Sequence, residues 1–314
     1  MKKAEIQIDR AYKKGEVDPR ICGSFLEHLG RAVYEGIYWP NNPNSDSEGF
    51  RMDAAALVRE LGIPIVRYPG GNFLSAFCWE DSVGPRSERP RRADVAWQTI
   101  ETNEFGLNEF MRWCAKVQTE PMMAVNLGTR GIEEARQLLE YCNFPGGTLF
   151  SDMRRRHGIE RPYGIKTWCL GNEMDGPWQM GHKSPEEYGH LASQTAQIMK
   201  ALDPSIEVVA CGSSTYTMST FGTWEYKVLR ECYDDVDYLS LHAYYGKFTG
   251  DSKDFMGSSM EMDAFIEDVV SICDAVRAIQ KSKKIMNLSF DEWNVNYHFR
   301  MQAAKPEQWK EWFE

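Results

Sequence analysis

Two glutamates carry the strongest chemical prospect in this sequence. Glu173 follows the apolar run 165–170 as Gly171-Asn172-Glu173, and Glu292 follows the run 285–290 within Asp291-Glu292-Trp293-Asn294. Each run reads as a buried strand, so each carboxyl stands at a strand end. Carboxylates facing each other across a cleft can break a glycosidic bond: one protonates the leaving oxygen, and the other attacks the anomeric carbon or activates a water. A single glutamate is usually surface charge. Two at strand ends, with Asn and Trp beside them, are better explained by a site. Metal chemistry is not expected, because six His and eight Cys show neither His-Glu-x-x-His nor clustered ligand spacing. No Gly-x-Ser-x-Gly turn or phosphate-binding loop implies a cofactor or a serine nucleophile.

The elements that must hold these groups alternate along the chain. Strands are expected up to Glu27 and over 63–68, 122–127, 165–170, 207–211, 236–242 and 285–290. Helices are expected over 53–61, 107–117, 132–142, 223–232 and 265–279, with another opened by the capping box Ser184-Pro185-Glu186-Glu187. Short apolar strands spaced by helices predict a parallel sheet covered on both faces. An open dinucleotide-binding sheet should show Gly-x-Gly-x-x-Gly after its first strand, and none is present. Instead Glu27, Arg67, Asn126, Glu173, His242 and Glu292 recur at strand ends, which a (β/α)8 TIM-type barrel gathers on one rim. Seven strands are visible, so the barrel reads as truncated before strand eight. Residues 1–20, weakly alternating through Ile6 and Ile8, are expected to be a strand segment of an accessory β-sandwich, and 21–314 an incomplete catalytic barrel. Two Trp and a Phe near the C-terminus (Trp309, Trp312, Phe313) and the missing strand predict poor stability and weak activity for these residues alone.

A net charge of −10 argues against nucleic acid as a partner, and the run Arg154-Arg155-Arg156 is expected to be a solvated face. No stretch reaches the ~18 apolar residues of a membrane span. The N-terminus lacks the apolar core of an export signal, and scattered cysteines such as Cys114, Cys142, Cys169 and Cys273 read as reduced core thiols, so the expected location is cytoplasmic.

Five segments resemble glycoside hydrolase family 51, the α-L-arabinofuranosidases, in the family's order. They are Gly23-Ser24-Phe25-Leu26-Glu27-His28, Arg67-Tyr68-Pro69-Gly70-Gly71-Asn72-Phe73, Trp168-Cys169-Leu170-Gly171-Asn172-Glu173, Leu241-His242-Ala243-Tyr244-Tyr245 and Phe290-Asp291-Glu292-Trp293-Asn294-Val295. The resemblance implies a retaining barrel glycosidase with its glutamates on strands four and seven, Glu173 as general acid/base and Glu292 as nucleophile. It places Glu27, Asn72, Asn172 and Tyr244 around a terminal arabinofuranose. Arg67 and His242 are expected to hold the carboxylates by charge-assisted bonds, and Trp97 to lid the pocket. His28 and His298 read as structural. Asn296 stands where the family commonly has an aromatic residue shaping aglycone recognition. Implied with these are an arabinose-containing oligosaccharide substrate, no cofactor, and a homo-oligomer, a hexamer by family resemblance. The alternatives are a β-xylosidase or β-glucanase on the same scaffold, or an inactive sugar-binding or assembly fragment.

Overall fold

The computed structural model describes residues 3, 5–13, 15–246, 250–295 and 305–311; Asn296, Tyr297, His298, Trp312 and Phe313 lie outside them. In chain order, the strands are β1 (Ser24–Phe25), β2 (Ile65–Tyr68), β3 (Arg92–Asp94), β4 (Thr99–Glu101), β5 (Glu120–Val125), β6 (Thr167–Leu170), β7 (Glu207–Ala210), β8 (Tyr238–Tyr245) and β9 (Asn287–Val295). The helices are α1 (Met52–Leu61), α2 (Leu107–Val117), α3 (Ile132–Asn143), α4 (Leu149–Arg156), α5 (Pro185–Leu202), α6 (Thr223–Cys232), α7 (Ser252–Met256) and α8 (Ser258–Gln280).

Seven strands form one parallel sheet in the order β1-β2-β5-β6-β7-β8-β9, and β3-β4 form a separate antiparallel hairpin. The first and last strands of the large sheet come into contact, so it curls into a nearly closed barrel of the (β/α)8 type. An open doubly wound sheet cannot bring its edge strands together. Inside the cylinder, Ile65, Met122, Ala124, Cys169 and Val209 form a small apolar cluster, distinct from the large core between sheet and helices. Side chains alternate along a strand, so two residues beyond these hydrocarbons come Arg67, Asn126 and Gly171. The lumen therefore turns polar at the C-terminal ends of the strands.

The helix boundaries follow local chemistry. Glu187 Oε2 accepts from the Ser184 backbone N–H at 3.0 Å, and Ser184 Oγ accepts from the Glu187 N–H at 3.3 Å, closing the expected capping box of α5. Gly62 ends α1 at φ 65°, a conformation that favours glycine. At the other barrel end, Arg20 donates to Glu207 at 2.6 Å and to the Tyr238 hydroxyl at 2.8 Å, tying the segment before β1 to the starts of β7 and β8.

Several expectations need correction. The arginine run is not wholly a solvated face: Arg154 is fully buried in α4, donating to the carbonyls of Tyr141, Phe144, Pro145 and Ile159. Four backbone acceptors replace its water, which a count of charges cannot anticipate. β9 runs to Val295, so Glu292 sits within it rather than past its end. Among the described residues before β1 there is no strand, only helical turns at Arg10–Tyr12 and Pro19–Cys22, with Ile6 and Ile8 exposed. All eight cysteines are free thiols, six of them buried. No helix among the described residues is long and apolar enough to cross a membrane.

Candidate active site

Every strand of the barrel ends on the same rim, and four of them deliver the two glutamates and their partners. Glu173 follows β6 and Glu292 lies in β9, the fourth and seventh barrel strands in sheet order. Both are buried, at 7% and 6% exposure. An oxygen from each, with a ring nitrogen of His242, falls within 4.8 Å of the others. Glu173 holds a left-handed backbone at φ 44°, unusual for a residue with a side chain and typical of strained functional positions.

Arg67 of β2 ties the strands together. Its guanidinium donates to Glu292 Oε2 at 2.9 Å and to Asn172 Oδ1 at 2.7 Å. With Asn172 Oδ1 taken by Arg67, the Asn172 Nδ2 faces away, buried and without an acceptor among the described residues. That amide is a donor waiting for a ligand, directly beside the acid/base candidate. Tyr244 completes the surroundings of Glu292, its hydroxyl donating to Glu292 Oε1 at 2.7 Å.

His242 bridges Glu173 Oε1 at 3.1 Å and Asp291 Oδ1 at 3.0 Å through its two ring nitrogens. Burial alone would push its pKa down, but the charges and hydrogen bonds of Glu292, Asp291 and Glu173 raise it to about 10. At neutral pH the ring is therefore a cation donating from both nitrogens. Burial would likewise raise Asp291, yet Arg67 and His242 hold it below the usual carboxylate value. Arg67 and protonated His242 supply the positive charge among these acids, and a metal ion placed there would have to displace it.

Glu27 is held from the β1 side. The Phe73 backbone N–H and the Trp97 indole both donate to its Oε1, at 3.0 and 2.9 Å. Its Oε2 lies against Gly71, where a Cβ would sit 2.9 Å away, so that position excludes a side chain. Burial, with the nearby Glu292 charge, pushes Glu27 up to about 8. At neutral pH it is mostly protonated and able to donate an O–H as well as accept.

The structure thus brings together Glu27, Arg67, Asn172, Glu173, His242, Tyr244, Glu292 and, through Glu27, Trp97. Asn72 starts the helical turn Asn72–Ala76 next to Gly71, half-buried, and its side chain makes no hydrogen bond with a described residue. His28 is structural, its ring bonded to Glu101 at 2.8 Å and the Tyr68 hydroxyl at 2.9 Å. Sequence reasoning missed two members. Asp291 is adjacent to Glu292 and bonded to His242, and Trp178 donates its indole N–H to Glu173 Oε2 at 2.8 Å. Trp178 follows the Asn-Glu pair by only a few residues, which was a usable signal; Gly176 leaves room for its ring, since a Cβ there would lie 2.6 Å from it.

Residues 57–255 match the family described as "Alpha-L-arabinofuranosidase 1 domain". A curated relative, the intracellular exo-α-(1→5)-L-arabinofuranosidase 1 of Bacillus subtilis (strain 168), is 60% identical over 309 residues, 98% of this chain and 62% of the relative. An exo-α-(1→6)-L-arabinofuranosidase of Bifidobacterium longum is 52% identical over 318 residues, 99% of this chain and 61% of the relative. A solved family 51 α-L-arabinofuranosidase from Bifidobacterium longum superposes with a TM-score of 0.87 at 51% identity, covering 89% of this chain and 56% of that one. The chain therefore spans less than two thirds of the length of these relatives. With the matched region covering more than half its length and the two glutamates in register on the barrel rim, this chain belongs to glycoside hydrolase family 51, the family of the α-L-arabinofuranosidases.

Proposed function

We propose that the chain carries the catalytic barrel of a retaining, exo-acting α-L-arabinofuranosidase, releasing terminal arabinofuranose from arabino- and arabinoxylo-oligosaccharides without a cofactor. The spacing of Glu173 and Glu292 carries this reading: their oxygens approach within 4.8 Å. Carboxyl groups about 5–5.5 Å apart suit double displacement, whereas roughly 6.5–9.5 Å leaves room for an inverting water. Glu292 attacks the anomeric carbon as the bond to the leaving oxygen breaks, and Glu173 gives that oxygen its proton. Glu173 then takes a proton from water as the water attacks the same carbon and frees Glu292. Arg67 and Tyr244 fix the nucleophile, and the free Asn172 amide donates to the sugar hydroxyl next to the reacting carbon. The relatives' names support α-linked arabinofuranose over xylose or glucose, and those named intracellular support a cytoplasmic location. We read residues 1–20 as a segment of an accessory domain and 21–314 as the catalytic barrel, and the seven-stranded parallel sheet supports the latter. Assembly as a homo-oligomer rests on family membership and is read by sedimentation velocity.

Proton NMR during the first turnovers tests the mechanism. The arabinose first released should keep the substrate's anomeric configuration; an inverted product sinks the double displacement. Hydrolysis should be confined to p-nitrophenyl arabinofuranoside when it is compared with the xyloside and the glucoside. Asn172→Ala is expected to lower kcat/KM about 10- to 100-fold, the worth of one hydrogen bond to a charged transition state. An unchanged value would remove that amide from substrate contact.

A further inference from the structure

Outside the rim cluster, Asp94 is a buried acid with no assigned role. It lies at the end of β3, paired in register with Thr99 of β4, and the hairpin turn between them carries Trp97. Asp94 is 5% exposed. Its Oδ1 accepts the Ala96 backbone N–H at 2.9 Å, and the Trp97 backbone N–H also bonds the carboxyl. Its Oδ2 has no hydrogen-bond partner among the described residues, and Arg92, two residues away, pairs with Asp81 instead.

A buried carboxylate without a cation is destabilising, and a neutral asparagine would serve an ordinary turn as well. The charge has a use one bond further on, because the turn it clamps aims the Trp97 indole at Glu27 Oε1, 2.9 Å away. We propose that ionised Asp94 is a positioning residue, clamping the turn so that Trp97 and Glu27 close over the furanose. The proposal rests on the arabinofuranosidase reading for its kinetic consequences, but not for the clamp itself.

Asp94 also lines a cavity of about 290 Å³ together with Phe73, Phe77, Arg92, Glu101 and Asn103. A cavity of that size, with Asp81, Arg92, Glu101 and Asn103 among its lining, has room for water, so the carboxyl can gain or lose a proton without unfolding. Burial outweighs the two backbone N–H bonds and pushes Asp94 up to about 6, with Glu101 raising it further and His28 lowering it. The clamp is therefore charged above about pH 6 and weakens as pH falls through that value. The titratable and charged groups around it are His28 of the β1 loop and Glu101 of β4, bonded to each other at 2.8 Å, with Arg92 of β3, Asp81 and Cys78 lining the same cavity.

The test uses 5-fluorotryptophan-labelled chain and 19F NMR, with Trp97→Phe serving only to assign the Trp97 signal. In the wild type that signal should move with a midpoint near pH 6, separately from a transition near pH 8 due to Glu27. In Asp94→Asn the lower transition should vanish, leaving the signal at its wild-type low-pH position. With p-nitrophenyl arabinofuranoside, Asp94→Asn should raise KM about tenfold at pH 7 while leaving kcat within about twofold, as expected for one weakened charge-assisted contact in binding. A wild-type signal flat between pH 5 and 7, or a transition near pH 6 that persists in Asp94→Asn and so belongs to another group, overturns the proposal. Loss of the lower transition in a chain that hydrolyses no arabinofuranoside would leave the clamp standing and defeat the enzymatic reading alone.

Discussion

Glu292→Ala is expected to reduce turnover of every arabinofuranoside by about 10⁴-fold or more, the scale seen when a nucleophile is removed. Its hydrogen-bond partners are poor substitutes: the Arg67 guanidinium has no free lone pair, and the Tyr244 phenol, kept protonated by burial, is a weak nucleophile. Glu173→Ala should behave differently. General acid help is worth about 10²–10⁴-fold and matters most when the leaving group is poor. Arabinan oligosaccharides, whose leaving oxygen needs a proton, should lose that full factor. The p-nitrophenyl glycoside, whose leaving group departs unprotonated, should form the arabinosyl–enzyme readily and then stall, because no base activates water. Added azide, which needs no base, should restore turnover of the aryl substrate in Glu173→Ala with retained configuration, whereas any azide product of Glu292→Ala should be inverted. Steady-state rates on both substrates, with and without azide, measure this; equal losses everywhere would reverse or abolish the assignment.

Much of this arrangement was legible before any coordinates. Continuous apolar runs such as 165–170 announce strands buried on both faces, and the polar residues following them announce a rim. The boundaries of α2 and α6 coincide with expectation because their apolar stripes are uninterrupted. The β3–β4 hairpin was not legible: three-residue strands give alternation too little length to register, so Trp97 is expected over the pocket without the turn that holds it, and Asp94 is not singled out. Tertiary partners were also hidden. Nothing near Arg154 in the sequence reveals four waiting carbonyls, and nothing near Asn172 reveals that Arg67 occupies its oxygen and frees its nitrogen. Local pattern identifies the strands and their terminal residues. The hydrogen bonds between strands decide which atoms of those residues remain available to a substrate.

Arg67→Met is expected to have the largest effect on stability, lowering the unfolding free energy by about 3–5 kcal/mol at pH 7, as when a buried ion pair loses one partner. Arg67 is 2% exposed and faces Glu292, Asp291 and Asn172 at once, so its removal leaves two buried carboxylates with His242 as their remaining cation and orphans the Asn172 oxygen. Methionine fills much of the volume, which isolates the electrostatic loss from a packing defect. Arg67→Lys should recover part of the stability and little activity, because an ammonium cannot span Glu292 and Asn172 with a planar fork. The deficit should depend on pH in a defined direction. Asp291 has its folded pKa held below the ordinary 3.8, so the stability it contributes is present above that value and is lost as pH falls through the depressed one. Arg67→Met forfeits that contribution near neutrality but has little left to forfeit in strong acid, where the carboxylates of both proteins are protonated. The gap between the denaturant unfolding curves of wild type and variant should therefore persist from pH 7 down to about pH 4 and narrow only below it, as Asp291 takes up a proton. A gap that stays constant would mean that Arg67 stabilises the barrel through its stacking over Phe25, 5.1 Å from the ring centre, and not through its ion pairs with the carboxylates.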